Sequence, residues 1–534
     1  MLHRNKQIGH ALVRYGLILA LLACIVIVIL ALLGPSIGNV FSSVVSNCNG
    51  CGGVSGYSLS LQDIGPTYGG LNPVNDEPYH DVFFENYGVN PFIDTEDDPL
   101  STFALDVDTG SYTMARRYVS DGNLPPKDAI RVEEFVNYFD MNYDLPKGSP
   151  FSIHIDGGMT PFVQTDHYRV IRIGIQGRDV PDVDRKDAVI TFIIDVSGSM
   201  DLENRLGAVK LALRSLVENL RPTDRVGIVV YGSTAYPVLE MTPAAQRGPI
   251  LAAIDRLMPE GATNAEAGLK LGYQMASRAF VPGAINRVIL CSDGVANVGN
   301  TGPDSILKSI RGYANEGITL TTVGFGMGNY NDVLMEQLAD NGDGFYAYVD
   351  TPAEAEKLFV EDLTGTLQTI ALDTKVQVEF NPEVVTRYRL LGYENRWLAD
   401  EDFRDDSIDG GEIGAGHSVT ALYEIKLAEG ASGRIATVVL RWKDPDDRQV
   451  TERSETIDSV ELMTAFEQTT PSFQLAVLVA EYAEILRKSY WAKEVTLDDL
   501  VHWVRVTDLA DFNDVEVVEF SQLVHRAAQL DSDE

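Results

Sequence analysis

Apolar residues recur along this chain in two different periods. In its middle third, unbroken apolar runs give way to helical spacing and back again. Val189-Ile190-Thr191-Phe192-Ile193-Ile194 is one such run; its length and branched residues read as a strand buried on both faces. Beyond it, Leu206, Val209, Leu213, Leu216 and Leu220 share one face of a helix. Further strands are expected at 226–231, 288–291, 318–325 and 345–349. Strands alternating with helices predict a doubly wound, mainly parallel α/β sheet over residues 186–369.

On either side of that segment the period drops to two. Residues 151–155 and 171–175 alternate before it, and 376–380, 419–425 and 438–442 alternate after it. Each reads as a strand with one buried face. Such strands cannot stay unpaired, so the economical solution is one antiparallel sandwich built from both flanks, with the α/β segment inserted. From 459 onward helical spacing takes over. Leu475, Leu478, Tyr482 and Ile485 form one stripe, and Thr496-Leu497-Asp498-Asp499 is a capping box.

The amino end is different. Residues 15–33 are uncharged and almost wholly apolar, long enough to cross a bilayer. Arg4, Lys6 and Arg14 precede them and the acidic bulk follows. That asymmetry predicts a single-pass anchor with a cytoplasmic amino terminus and the rest of the chain extracytoplasmic. Residues 42–97, rich in Ser, Gly, Asn, Pro and Asp, read as a flexible stalk. At its start, Cys48 and Cys51 suit a local or intermolecular disulfide. The expected organisation is an anchor (1–41), the stalk (42–97), a folded region with the first sandwich strands (98–185), the α/β domain (186–369), the rest of the sandwich (370–458) and a helical region (459–534).

Charge narrows the partners. The 534 residues include 78 acidic and 42 basic ones, a net charge of −36. Nothing in that balance neutralises phosphates, which argues against nucleic acid as a partner. Four cysteines are too few for a disulfide scaffold.

The candidate chemistry sits where the central strand ends. Asp195, Ser197 and Ser199 follow that strand at i, i+2 and i+4, at the carboxyl end where open α/β sheets place ligands. Thr263 lies at a later loop-to-helix junction, and Asp293 closes a second buried run, Arg287-Val288-Ile289-Leu290-Cys291-Ser292. Carboxylates and small hydroxyls suit a hard divalent cation. In order and spacing the five residues resemble the metal-ion-dependent adhesion site of the von Willebrand factor type A domain. That resemblance implies Mg²⁺, or Mn²⁺ or Ca²⁺, and a protein ligand whose Asp or Glu carboxylate completes the coordination. It also implies that Asp195 and Asp293 act mainly through water or hydroxyls and that Thr263 is gained in the high-affinity state.

Two more resemblances are carried by other stretches. The segment from Asp106 to Tyr112, together with Arg131-Val132-Glu133-Glu134-Phe135, Gly324-Phe325-Gly326 and Gly392-Tyr393-Glu394-Asn395-Arg396, resembles the bacterial YfbK type of von Willebrand A protein, from about 98 to the end. In the first of these, Asp106-Val107-Asp108-Thr109 imitates a metal turn but reads as a strand, a turn and a helix from about 111 to 119. The first 45 or so residues resemble the Flp-type pilins of tight-adherence pili, with Gly9 as a candidate processing site and Tyr15 kept, but Arg14 where a glutamate is expected. A plain signal anchor ranks ahead of that reading. The chain shows no Gly-x-x-x-x-Gly-Lys loop, no His-Glu-x-x-His and no Gly-x-Ser-x-Gly elbow. A membrane-anchored, cation-dependent binding or adhesion protein, not an enzyme, is therefore expected. The alternatives are an envelope assembly factor, a minor pilus-associated adhesin subunit, or an anchored metal-dependent hydrolase.

Overall fold

In the computed structural model, which describes residues 84–105, 107–162, 167–294, 303–326, 330–507, 509–512 and 514–533, the two periods become two kinds of sheet. Short strands β1 (Ile93–Asp94) and β2 (Leu100–Ala104) lead into helices Gly110–Ser120 and Val132–Asn137, then into β3 (Phe151–Gly158) and β4 (Tyr168–Gly177). The alternating segment runs β5 (Ala188–Asp195), helix Arg205–Asn219, β6 (Arg225–Tyr231), β7 (Ala235–Pro243), helices Arg247–Asp255 and Ala265–Ala279, β8 (Ile285–Ser292), helix Pro303–Asn315, β9 (Ile318–Phe325), helix Asp332–Asp340 and β10 (Tyr346–Val349). Next come β11 (Thr369–Phe380), β12 (Val385–Leu391), β13 (Gly411–Gly414), β14 (Ser418–Leu427), β15 (Arg434–Lys443) and β16 (Val450–Asp458). Helices Pro471–Leu486, Leu497–Val506 and Val515–Asp533 follow.

The central sheet has the order β10-β9-β8-β5-β6-β7. Its pairs are parallel except β6 with β7, which run antiparallel. Every residue of β5 is buried, as expected of a strand with a neighbour on each edge and helices on each face. The predicted helical stripe, Leu206, Val209, Leu213, Leu216 and Leu220, packs in one core with Ile190, Phe192 and Ile194. Strand β7 was not foreseen. Pro237 interrupts it and its residues are intermediate or exposed, so neither an apolar run nor a clean alternation marks this edge.

Strands from both flanks interleave. One antiparallel sheet has the order β1-β12-β14-β4-β3 and the other the order β13-β11-β15-β16, with β2 also on β11. In the first, Ile173 of β4 stands opposite Ile155 of β3 and Ala421 of β14, so a strand that precedes the insert pairs directly with one that follows it. The two sheets share a core. Across it Phe151 meets Trp442 edge-on at 5.1 Å and Phe380 meets Tyr423 at 5.3 Å, geometries that add to the area they bury.

A further core joins the first and the last helices of the described residues. Tyr112 and Phe135, on the early helices, pack with Tyr482 and Phe520 on the late ones. The capping box at Thr496 forms with Asp499. Residues 15–33, Gly9, Cys48 and Cys51 lie outside the described residues; among those described, no helix is long and apolar enough to cross a membrane.

Candidate metal centre

The centre is built where β5 ends between β6 and β8. Asp195 is the last residue of β5 and is fully buried. The chain then turns through Ser197 into a single 3₁₀ segment, Gly198–Asn204, before helix Arg205–Asn219 begins. That turn is fixed locally: the Ser197 N–H donates to Asp195 Oδ1 at 2.8 Å, and the Met200 N–H to the Ser197 carbonyl at 3.0 Å.

Four predicted ligands come together. The hydroxyls of Ser197 and Ser199 stand 3.0 Å apart, and the Ser199 hydroxyl lies near enough to Asp293 to favour its ionised form. Asp195, Ser197, Ser199 and Asp293 thus form one connected set of oxygens drawn from two strand ends. Thr263 is placed by its loop. The Gly198 N–H donates to the Gly261 carbonyl at 3.1 Å, and the Glu260 N–H to the Val196 carbonyl. Gly261 has φ +71, and a Cβ there would run into Ser233, so this close approach of two loops needs glycine. Asp195 and Ser197 are buried, whereas Ser199 and Thr263 are half-buried and Gly198 is exposed. The set therefore opens outward through Gly198, Ser199 and Thr263.

Three residues absent from the predicted set complete it. Ser292 Oγ donates to Asp195 Oδ2 at 3.0 Å. Arg205 Nη1 donates to Asp293 Oδ2 at 2.8 Å, with both side chains at most 5% exposed. The Tyr231 hydroxyl is buried beside Asp195 and Ser292. Arg205 lies across Gly326, whose φ is +78 and where a Cβ would meet the guanidinium stem. A lone arginine at a helix start gives no sequence signal of this kind; the glycine opposite it is the only trace.

Charge explains what the set lacks. Burial, then repulsion from Asp293, pushes the Asp195 carboxyl up to about 6, against the hydrogen bonds from Ser197 and Ser292. Burial also raises Asp293, with Arg205 pulling the other way. The two buried carboxylates have one guanidinium between them, and it pairs with Asp293, so the set is short of positive charge. Its donors are oxygens only, as a hard divalent cation takes them. Among the described residues no group of three His, Cys, Asp or Glu is placed to hold a metal; here only two carboxylates contribute and the remaining donors are hydroxyls. The residues present fit magnesium, manganese or calcium.

The von Willebrand factor type A domain model matches residues 190–361, a model described as "Uncharacterized protein YfbK, C-terminal" matches 365–530, and one described as "von Willebrand factor" matches 78–171. YfbK of Escherichia coli K12 is 35% identical over 447 residues, covering 79% of this chain and 77% of that protein. Human inter-alpha-trypsin inhibitor heavy chain H3 is 26% identical over 313 residues, 54% of this chain and 33% of its own. A von Willebrand factor type A structure from Catenulispora acidiphila aligns with 70% of this chain and 89% of its own at 16% identity and a TM-score of 0.41.

Proposed function

Since this chain belongs to the YfbK family of von Willebrand factor type A proteins, we propose that it is a divalent-cation-dependent protein-binding protein of the adhesion type. One observation supports this above the rest: a connected set of two buried carboxylates and two hydroxyls opens to solvent at the carboxyl end of the central strand. Ser197 and Ser199 hold the cation directly, Asp195 and Asp293 orient hydroxyls and water around it, and Thr263 joins when a ligand is bound. With so few direct carboxylates the bound cation keeps an affinity for a further oxygen, which the Asp or Glu of a partner supplies. A binding role suits the carboxylates better than turnover: Asp195 already accepts from Ser197 and Ser292, and Asp293 from Arg205, so neither stands ready as a general base.

The test is a pull-down from envelope extract in three parallel arms: wild type with magnesium, wild type with chelator, and Asp195→Ala with magnesium. The partner should appear in the first arm and vanish from the other two. A partner retained under chelator would end this reading.

The same proposal includes the anchor. Residues 15–33, with the basic flank before them, hold the chain in the membrane and leave the binding centre outside the cytoplasm. Protease added to spheroplasts should remove the region that follows residue 41. Complete protection of that region while the membrane is intact rules out the orientation.

A further inference from the structure

Far from the metal centre, at the opening end of β8, one buried guanidinium has no carboxylate within ion-pair distance among the described residues. Arg287 is 3% exposed. Its Nη1 donates to Thr321 Oγ1 at 2.7 Å and its Nη2 to Thr369 Oγ1 at 3.1 Å, both neutral, while its Nε has no partner at all. Three other buried arginines do have one: Arg116 holds Asp350, Arg185 holds Asp224 and Arg205 holds Asp293. An unpaired buried guanidinium is costly, and it is unexpected in a chain of net charge −36.

The surroundings register the excess. Burial lowers Arg287 to about 10, with Glu412 and Asp343 only partly offsetting it. Burial and then Arg287 hold the neighbouring His417 down at about 4, and its Nδ1 is left without a hydrogen bond.

Arg287 lines a cavity of about 270 Å³ between the start of the parallel sheet, the start of β11 and the β15–β16 turn. Lys186, Arg448, Thr319 and Asp343 also line it, with Asp446. Lys186 and Asp446 pair with each other, which leaves Arg287 and the exposed Arg448 facing Asp343 alone. The volume exceeds that of several waters, and the donors approach it from three chain segments.

We propose that this cavity binds a phosphate- or sulfate-type oxyanion, with Arg287 as the floor, Arg448 and Lys186 at the rim, and Thr319 alongside. A tetrahedral anion takes charge-assisted hydrogen bonds from several directions at once, and it supplies the contact counter-charge that Glu412 and Asp343, acting from a distance, do not. Bound there, it ties the α/β domain to the sandwich.

Inorganic phosphate and sulfate, titrated into the full chain without magnesium and at ionic strength matched with sodium chloride, test this by calorimetry and by melting. Either anion should bind and raise the wild-type melting temperature by about 2 °C or more near saturation. Arg287→Gln, which keeps an amide able to reach Thr321, should weaken binding at least about tenfold. Arg448→Ala, an exposed change that does not threaten the fold, should weaken it roughly threefold and decides the matter if Arg287→Gln does not fold. No binding at tens of millimolar, or equal binding by wild type and Arg448→Ala together with any folded Arg287→Gln, overturns the proposal.

Discussion

Asp195→Ala should abolish divalent-cation binding, and with it capture of the partner, while leaving the melting temperature within a few degrees of the metal-free wild type. Two opposite effects meet at this residue. At neutral pH the buried carboxylate is a net cost to the metal-free fold, because its folded value of about 6 lies above the ordinary 3.8. A group raised in this way contributes its stability at low pH, and loses it as pH rises from about 4 through about 6. Alanine removes that cost, roughly 3 kcal/mol for a shift of this size. It also strands the Ser197 N–H and the Ser292 hydroxyl that Asp195 accepts from, at about 1–3 kcal/mol for each buried donor left unmade. The two nearly cancel. Metal then separates the proteins: at a hundred times its dissociation constant the wild type gains about 2.7 kcal/mol, and the variant gains nothing. Calorimetry with magnesium and manganese, and melts with and without them, check both halves. Wild-type affinity in Asp195→Ala, or no binding by wild type at millimolar metal, would sink the assignment.

The centre was legible in sequence as far as its signal is local. Asp195, Ser197 and Ser199 are packed into five residues at the end of an apolar run, and Asp293 ends another. Arg205 and Ser292 were not legible, because their partners, Asp293 and Asp195, lie 88 and 97 residues away. Likewise, period two led to one buried face for β4 and β14, whereas both faces are buried over most of β4 and the first half of β14, and only the fold shows that they cover each other's edge. A helix at about 111–119 and an apolar stripe from Leu475 to Ile485 were each visible, whereas the common core of helices Gly110–Ser120 and Pro471–Leu486 was not.

Asp108 shows the same limit from the other side. Its setting in Asp106-Val107-Asp108-Thr109 imitates a metal turn, yet Asp108 Oδ1 accepts the Tyr346 N–H at 2.8 Å and Oδ2 pairs with Arg396 at 3.3 Å. Three of the four stretches that resembled the YfbK type converge here, while Gly326 of the fourth lies against Arg205. Tyr346 donates to Asp332 at 2.8 Å, Asn395 to Glu336 at 2.7 Å, and the Tyr393 N–H to Glu133 at 2.9 Å. A Cβ on Gly110 would enter the Tyr346 ring, and one on Gly392 would meet Glu133. These motifs weld the early helices to the α/β domain and the sandwich.

Arg131 is the centre of that weld, and Arg131→Ala should destabilise the protein by about 3–5 kcal/mol at neutral pH, the usual cost of breaking a buried pair from one side. Its guanidinium is 5% exposed, bonds Glu134 through Nε and Asp332 through Nη1 at 2.7 Å, and lies 3.9 Å from Glu336. Burial opposes its charge, but Asp332, Glu134 and Glu336 together hold it well above its ordinary value. Removing it takes the guanidinium from the buried carboxylates of Glu134 and Asp332 and leaves Glu336, 3% exposed, with Arg396 alone as a cation. The loss should also depend on pH, with a sign fixed by Glu336. Burial lifts that carboxyl to about 7 from 4.5 even with Arg131 and Arg396 nearby. The folded state therefore binds more protons than the unfolded one between those values, and stability falls as pH rises through them. Without Arg131 the folded value climbs further, so the variant keeps losing stability above pH 7, where the wild type has levelled off. Denaturant melts at pH 5 and pH 8 should show the larger difference at pH 8. Removing the charges together, as Arg131→Met with Glu134→Gln and Asp332→Asn, should recover most of the loss, because no uncompensated charge remains among those three. A loss below about 1 kcal/mol for Arg131→Ala, or one equal at both pH values, would show that the weld rests on packing and not on this ion network.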